Sequence, residues 1–411
     1  MADLPGLADS AQHWRHVRRH LNSHRHELAA RAAQLYPPDL RVGSTPLLAP
    51  PAWVPAEPLE LGQVSLAWTG HAPPGTDVTG PLSAHVRPLR PDGRRYASYA
   101  AALERIERPA LLENRPIYRL LSASLAATRP RLELTGGRYF DWVNGGEAIA
   151  HELAAVPAGD GDCAERLRLR HALGSPADLP GRSALSAVTT LTLRAPAAGD
   201  PTFVLHWRDP AAVTHAGGLY QVMPVGVFQA AAEGEEARAR DLDLWRCMAR
   251  EFREEFLGAA EDYAVGCLSG QTGAVGCLSG QTGAVGCLSG QTGAAGCLSG
   301  QTGTAGDYAH WPFFAGLAAA RSAGKLTVWC LGLGADPLTL ATDVLCVAVF
   351  ASDTFDALFG GVVGSNAEGR VMTGVPFTAA TVNRFTRDEP MQAAGAAVLE
   401  LAWQHRKHLL G

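Results

Sequence analysis

The chain has 411 residues, of which 47% are hydrophobic and 18% charged, and its formal net charge is −5 at pH 7. This composition is typical of a globular protein with a sizeable core and roughly two or three domains, and it excludes a chain that is disordered overall. The slight acidity argues against a surface coated for nucleic-acid backbones, although a local basic segment is compatible with it.

No stretch reaches the roughly 18 consecutive apolar residues of a membrane span, and the first residues, MADLPGLADSAQHWRH, lack a basic start followed by an apolar run. Four of the eight cysteines belong to an internal repeat, and the others are scattered without zinc-ligand spacing. Free thiols in a reducing compartment fit this pattern. We therefore expect a cytoplasmic protein with no membrane partner.

Residues 1–45 are predicted to hold one basic amphipathic helix, from about Ala8 to Tyr36. Val17 joins its apolar stripe, which recurs every seven residues at Trp14, Leu21, Leu28 and Leu35. One interpretation is a helix that contacts DNA or a second copy of the chain in a homodimer. The other, which we favour because His24 and Arg31 interrupt a coiled-coil seam, is a helix docked on its own domain.

Residues 46–95 form a proline-rich arm with one strand candidate, Val64 to Trp68, and the arm is too apolar for a free linker. Residues 96–186 are predicted to be mostly helical. Helical patterns cover Tyr99 to Arg108 and Pro116 to Ala126, and a strand-like run follows at Arg131 to Thr135.

Residues 187–411 alternate strands with helices. The strand candidates are Ala187 to Arg194, Thr202 to Trp207, Leu326 to Leu333 and Val344 to Phe350. Helices are predicted at about Asp241 to Leu257, Thr354 to Phe359 and Pro390 to Leu409. Strands on both sides of a central acidic helix indicate an α/β domain with a mixed sheet between helical layers.

A decapeptide, GCLSGQTGAV, is repeated in four tandem units that begin at Gly266, Gly276, Gly286 and Gly296, and only the last two positions of the unit vary. Asp-Tyr-Ala flanks the array on both sides, at Asp262 and at Asp307, which indicates tandem duplication within a surface loop. Three glycines and few apolar residues per unit make a packed module costly to order. We expect the inserted loop 263–307 to be mobile and tolerated.

The most informative motif is Arg250 to Gly258, REFREEFLG, which places Glu251, Glu254 and Glu255 on one face of a predicted helix. Such a face is either a solvated acidic patch balanced by arginines or a seat for a hard divalent cation. The order Arg-Glu-hydrophobe-x-Glu-Glu resembles the core of the Nudix box, and the resemblance extends from about Val188 to Phe359. It implies a Nudix-like α/β/α sandwich for residues 187–411.

The Nudix resemblance implies specific roles for these residues. Glu254 and Glu255 would hold Mg²⁺, Glu251 would bind a second ion or orient water, and Arg250 would fix a carboxylate. The family's upstream Gly-Gly turn has a loose counterpart in Gly217, Gly218 and Gly226, which are candidate ligand contacts. The box departs from the family pattern, because Leu242 and Glu236 stand at its upstream Glu and Gly positions and Gly258 arrives one residue late.

The chain also resembles a group of actinobacterial-type proteins labelled transcriptional regulators, in the stretches LNSHRHELAARAAQLYPPDLRVGSTPLL, GGLYQVMPVGVFQ with DLDLWRCMAREFREEFLG, and PMQAAGAAVLELAWQHR. This similarity favours a regulator that senses a nucleotide-diphosphate-type ligand, while the Arg-Glu-x-x-Glu-Glu helix favours a Mg²⁺-dependent diphosphate hydrolase. A scaffold without a ligand is the third reading. His206, His215 and His310 are either pocket residues or structural hydrogen-bonding residues.

Overall fold

The computed structural model describes residues 7–71, 73–109, 112–157, 165–208, 218–259, 308, 311–360, 362, 364–366 and 369–411. The inserted repeat loop 263–307, Gly217, His215 and His310 lie outside the described residues, so the predictions made for them stay predictions. Within the described ranges, no helix combines the length and the apolar character that membrane crossing requires.

The helices are distributed along the whole described chain. They are α1 (Leu7–Ser23), α2 (Arg25–Ala33), α3 (Tyr99–Ile106), α4 (Tyr139–Trp142), α5 (Ala148–Ala154), α6 (Arg168–Leu173), α7 (Glu235–Asp241), α8 (Leu244–Glu251), α9 (Pro312–Ser322), α10 (Ser352–Phe359), α11 (Ala379–Asn383), α12 (Ala393–Gln404) and α13 (Arg406–Leu410). Single π-helical turns at Val143–Glu147, Phe252–Phe256 and Arg384–Asp388 continue α4, α8 and α11. Short side chains cap several starts; for example, the Asp243 carboxylate accepts the N–H groups of Trp245 and Arg246 at α8.

The strands form two sheets. They are β1 (Leu59–Glu60), β2 (Ser65–Trp68), β3 (Pro116–Ser124), β4 (Arg131–Arg138), β5 (Ser186–Ala195), β6 (Thr202–Arg208), β7 (Tyr220–Val222), β8 (Val225–Val227), β9 (Leu326–Ala335), β10 (Thr342–Ala351), β11 (Ser365–Asn366) and β12 (Gly369–Pro376). The large sheet has the order β1-β9-β10-β5-β6-β12-β11, with β7 beside β6 and β8 beside β5, and the small sheet has the order β2-β4-β3. The β5–β10 pair is parallel and the β9–β10 pair antiparallel, so the fold is mixed α/β as predicted.

Helices cover both faces of the large sheet. Residues paired across neighbouring strands share one face of the sheet, and successive residues along a strand alternate between the two faces. Phe350 pairs with Arg194, and Phe203 pairs with the adjacent Leu193. Phe350 and Phe203 therefore lie on opposite faces of the sheet. Phe350 packs on Phe252 of the turn after α8. Phe203 packs on Phe377, which contacts Trp403 of α12. The long apolar strands β5 and β10 are therefore buried between α8 on one face and α12 on the other.

The N-terminal helices dock on the rest of the chain. The predicted stripe residues Trp14, Val17, Leu21 and Leu28 are buried, while Leu35 is half-buried. Arg18 and Arg25 are buried as well, and both donate hydrogen bonds to the buried carboxylate of Glu147 on the first π turn. Docking on the chain's own domain is confirmed for this basic segment.

Two predictions of secondary structure are wrong. Pro116 to Ala126 was expected to be helical, but residues 116–124 form β3 because this segment pairs antiparallel with β4, and tertiary pairing overrides local spacing. The expected single N-terminal helix is two helices, since it breaks at His24, whose backbone has φ −130° and ψ 31°. The preceding Asn-Ser pair is a weak helix former, and the Ser23 hydroxyl donates back to the Arg19 carbonyl.

The proline-rich arm is part of the folded body. Leu47 and Trp53 are buried, β1 pairs with β9, and β2 pairs with β4. The cysteines of the strands behave as predicted, because Cys330 and Cys346 are free thiols within the core.

Candidate functional site

A cavity lies where two central strands separate. β5 and β6 pair only at Leu193–Phe203 and Arg194–Thr202. Toward the start of β5, β8 pairs with β5 and β7 pairs with β6, so the two short strands fill the fork. The remaining space, which we call the central cavity, has a volume of about 270 Å³ and is bordered by α2, the start of α12 and residues 336–341.

Polar and aromatic side chains from distant segments converge on the central cavity. The charged or titratable ones are Arg25, His26, His206, Arg208, Glu255, Asp336 and Asp343, and the aromatic ones are Tyr139 and Trp142. His206 is the predicted pocket histidine that the structure does describe, and it is 3% exposed. The cavity thus combines cations, carboxyl groups and aromatic faces, which is the usual content of a small-molecule site.

Two carboxyl groups on the cavity wall are held in a weakly solvated setting. Burial raises the pKa of the Asp343 carboxyl to about 7. The hydroxyl of Thr189 donates a 2.8 Å hydrogen bond to this carboxyl, which lowers the pKa and so opposes part of that shift. Burial also raises the pKa of Asp336, whose carboxylate accepts the N–H groups of Leu338 and Thr339. Asp343 therefore exchanges its proton near neutral pH, where a carboxyl can either donate or accept a hydrogen bond.

The carboxylate helix borders this cavity through one residue. Glu255 lies on the π turn Phe252–Phe256, lines the cavity, and accepts a 3.1 Å hydrogen bond from the backbone N–H of Val225 in β8. The Glu251 carboxyl packs against β8 so closely that a Cβ atom on Gly226 would lie 2.0 Å from it. Glu254 is half-buried on the same turn. π turns inside α-helices often accompany functional sites.

The hydrogen bonds of Arg250 connect it to segments outside the carboxylate helix. Its guanidinium is buried and donates to the Tyr308 hydroxyl at 2.9 Å and to the Gln229 carbonyl at 2.6 Å. The carboxylate that it approaches is Asp241, 3.7 Å away, which also accepts from the Tyr308 hydroxyl. Arg250 therefore joins α8 to α7 and to the segment that follows the inserted loop.

The described residues do not form a three-carboxylate metal seat. Across the part of the chain that the structure describes, no group of three His, Cys, Asp or Glu side chains is arranged to hold a metal ion. Glu255 already accepts a backbone N–H, and the Glu251 carboxyl faces Gly226. As placed, these carboxylates do not form the shared Mg²⁺ site that the Nudix resemblance implies. The Mg²⁺ site of Glu251, Glu254 and Glu255 stays a prediction.

The candidate glycines have structural roles that explain their identity. Gly218 adopts φ +79°, and its N–H donates to the Arg208 carbonyl at the end of β6. Gly226 lies on the cavity wall and leaves room for the Glu251 carboxyl. Gly226 therefore shapes the wall of the central cavity, while Gly218 forms the backbone hydrogen bond at the end of β6.

Several site residues were not anticipated from the sequence. Trp142, Arg25, Asp336 and Asp343 come from segments that only the fold brings together. One of them carried a usable signal, since Asp343 is an acid at the start of the apolar run VLCVAVF. A buried acid at such a position needs a specific reason.

No protein-family model matches the chain, and no curated protein is significantly similar to it. The resemblances to the Nudix box and to the regulator group therefore stay predictions.

Proposed function

We propose that the chain is a regulatory, ligand-sensing protein that binds a nucleotide-diphosphate-type ligand in the central cavity without efficient hydrolysis. The observation that carries this proposal is the position of Glu255, the last glutamate of the Nudix-like motif, on the wall of a cavity that also holds Arg208 and His206. A motif residue and two side chains of the kind that bind phosphate thus line one cavity.

The lining suits the parts of such a ligand. Guanidinium groups match phosphate oxygens through paired N–H donors, and Arg208 supplies such a group at this cavity. Tyr139 and Trp142 offer aromatic surface to a base or sugar. The volume of about 270 Å³ fits one part of a dinucleotide-sized ligand, with the remainder outside the cavity.

Binding without turnover is supported by the contacts of the motif. Glu255 is engaged by the Val225 N–H, and Arg250 holds Asp241 and Tyr308. Mg²⁺-dependent hydrolysis is the alternative, which is favoured by the placement of Glu255 at the cavity itself.

A transcriptional role is the less supported part of the proposal. Arg18 and Arg25 are committed to Glu147, and Arg31 donates to the carbonyl of Val156. DNA contact through this segment would therefore depend on exposed residues of α1, such as Arg15 and Arg19.

Calorimetric titration of the full chain with ADP-ribose and with a UDP-sugar, with and without Mg²⁺, tests the proposal. We expect saturable binding that weakens about tenfold or more in Arg208→Met, because one charge-assisted contact is lost. Arg131→Met, which removes an exposed arginine of β4, is the matched control and is expected to bind like the native chain.

Two outcomes would contradict this function. Absence of binding for the whole panel would remove the ligand-sensing role. Mg²⁺-dependent turnover that disappears in Glu254→Gln would replace the non-catalytic reading with the hydrolase.

A further inference from the structure

A second cavity, of about 260 Å³, shares Trp142 with the central cavity. We call it the arginine cavity, because Arg119 of β3 and Arg182 line it together with Ser183 and the glycine pair of the first π turn. Trp142 and Thr339 line both cavities. The arginine cavity has no part in the proposed function above.

Its two arginines are buried and form no direct ion pair with a carboxylate of the described residues, although Asp141 attracts Arg119 and Asp178 attracts Arg182 over a longer distance. Arg119 donates to the carbonyls of Arg182 and Pro180, and Arg182 donates to the carbonyls of Leu340 and Pro176. They are 9% and 4% exposed, and burial lowers the pKa of Arg182 to about 10. Carbonyl oxygens satisfy hydrogen bonds but do not neutralise a buried charge, and buried charges are normally paired.

The carboxylates that also line this cavity are on exposed residues and are bound elsewhere. Asp77 accepts the N–H groups of Thr79 and Gly80, and Asp141 accepts the N–H of Arg138. Positive charge therefore lies deep in the cavity, and negative charge lies nearer to solvent.

Three buried donors at this cavity lack a hydrogen-bond partner in the described part of the chain. They are the Trp142 Nε1, the Ser183 Oγ and the Arg182 Nε atoms. Trp142 is only 5% exposed, and a Cβ atom on Gly146 would lie 2.4 Å from its Nε1 atom, so a glycine at this position lets the indole lie directly against the π turn. Unsatisfied buried donors are rare, and three around one cavity need an acceptor.

We propose that the arginine cavity binds an oxyanion, the phosphate or carboxylate group of a small ligand. Such a group supplies two things at this cavity. Its negative charge pairs with Arg119 and Arg182, and its oxygens accept hydrogen bonds from the unpaired donors. The indole, hydroxyl and guanidinium donors are all on groups that bind oxyanions without losing a proton.

Equilibrium dialysis of the full chain against radiolabelled inorganic phosphate, and separately against acetate, tests this site. The informative variant is Ser183→Ala, which removes an unpartnered hydroxyl and breaks no hydrogen bond of the described fold. We expect saturable binding of at least one of the two anions, about tenfold weaker in Ser183→Ala and lost in Arg119→Met. Arg131→Met is expected to bind normally.

The anion that binds identifies the ligand group: binding of phosphate indicates a phosphate group, and binding of acetate indicates a carboxylate. Binding of neither anion, or equal binding by the native chain and Ser183→Ala, would overturn the proposal. Anion binding that is lost in Arg208→Met but kept in Ser183→Ala would also overturn it, because the anion would then occupy the central cavity. Should Arg119→Met fail to fold by circular dichroism, Ser183→Ala alone decides. Because the two cavities are tested by different variants, failure here is distinguishable from failure of the proposed function.

Discussion

Asp343 illustrates how a single buried carboxyl reports on the site around it. The side chain is 8% exposed, it faces the central cavity, and its pKa is about 7. The folded chain therefore retains a proton that the unfolded chain has released well below neutral pH. The contribution of this group to stability is fully present below its unfolded pKa of 3.8 and is lost as pH rises through about 7.

We expect Asp343→Asn to stabilise the chain at pH 8 by roughly 1–4 kcal/mol and to have little effect at pH 4. The asparagine carbonyl can still accept from Thr189, while the cost of a buried charge is removed. Urea unfolding at the two pH values measures this, with the exposed Asp39→Asn as control. An equal effect at both pH values would show that the carboxyl does not titrate in this range.

At the scale of elements, the junction between the N-terminal helices and the first π turn depends on one carboxylate. Arg18 of α1 and Arg25 of α2 both bind Glu147, and all three side chains are buried. Breaking a buried ion pair costs more than the pair itself contributes, because the remaining charge is left without a partner.

Glu147→Gln is therefore expected to lower the free energy of unfolding by about 3–5 kcal/mol. Chemical denaturation measures the change, and Glu27→Gln on the exposed face of α2 is the matched control. A loss as small as that of the control would mean that the two guanidinium groups find other partners.

Strands with a long apolar run could be predicted from the sequence, whereas elements whose conformation depends on pairing with another segment could not. The apolar runs of β5, β6, β9 and β10 gave their positions to within about two residues, because such runs are buried on both sides. β3 was mistaken for a helix, since its identity follows from pairing with β4. The carboxylate helix was located correctly, but the π turn, which alters the relation of Glu251 to Glu255, has no simple sequence signature.

At the scale of the whole molecule, the cavities were beyond prediction. Arg25, Trp142, His206 and Asp343 lie on four separate segments, and only the fork between β5 and β6 brings them together. The inserted repeat, in contrast, was recognisable from sequence alone. The first described residue after it, Tyr308, is buried and binds Arg250 and Asp241.

Deletion of residues 263–307 joins Asp262 directly to Tyr308 and keeps this tyrosine. We expect the free energy of unfolding to change by less than about 1 kcal/mol, because loop length has a weak effect on stability. Tyr308→Phe, which removes the buried hydroxyl, is expected to cost about 1–3 kcal/mol. Thermal and urea unfolding compare the variants, and a deletion that is more harmful than Tyr308→Phe would give the array a structural role.

Trp142 is a common wall of the two cavities, and its 5% exposure leaves it little freedom to move independently of either. Occupation of one cavity should therefore alter the affinity of the other, and thermodynamic linkage requires the effect to be equal in both directions. We expect phosphate to change the affinity for ADP-ribose and ADP-ribose to change that for phosphate by the same factor. Replacing Trp142 with leucine should bring both factors toward one, so this indole would make the chain responsive to two signals instead of one.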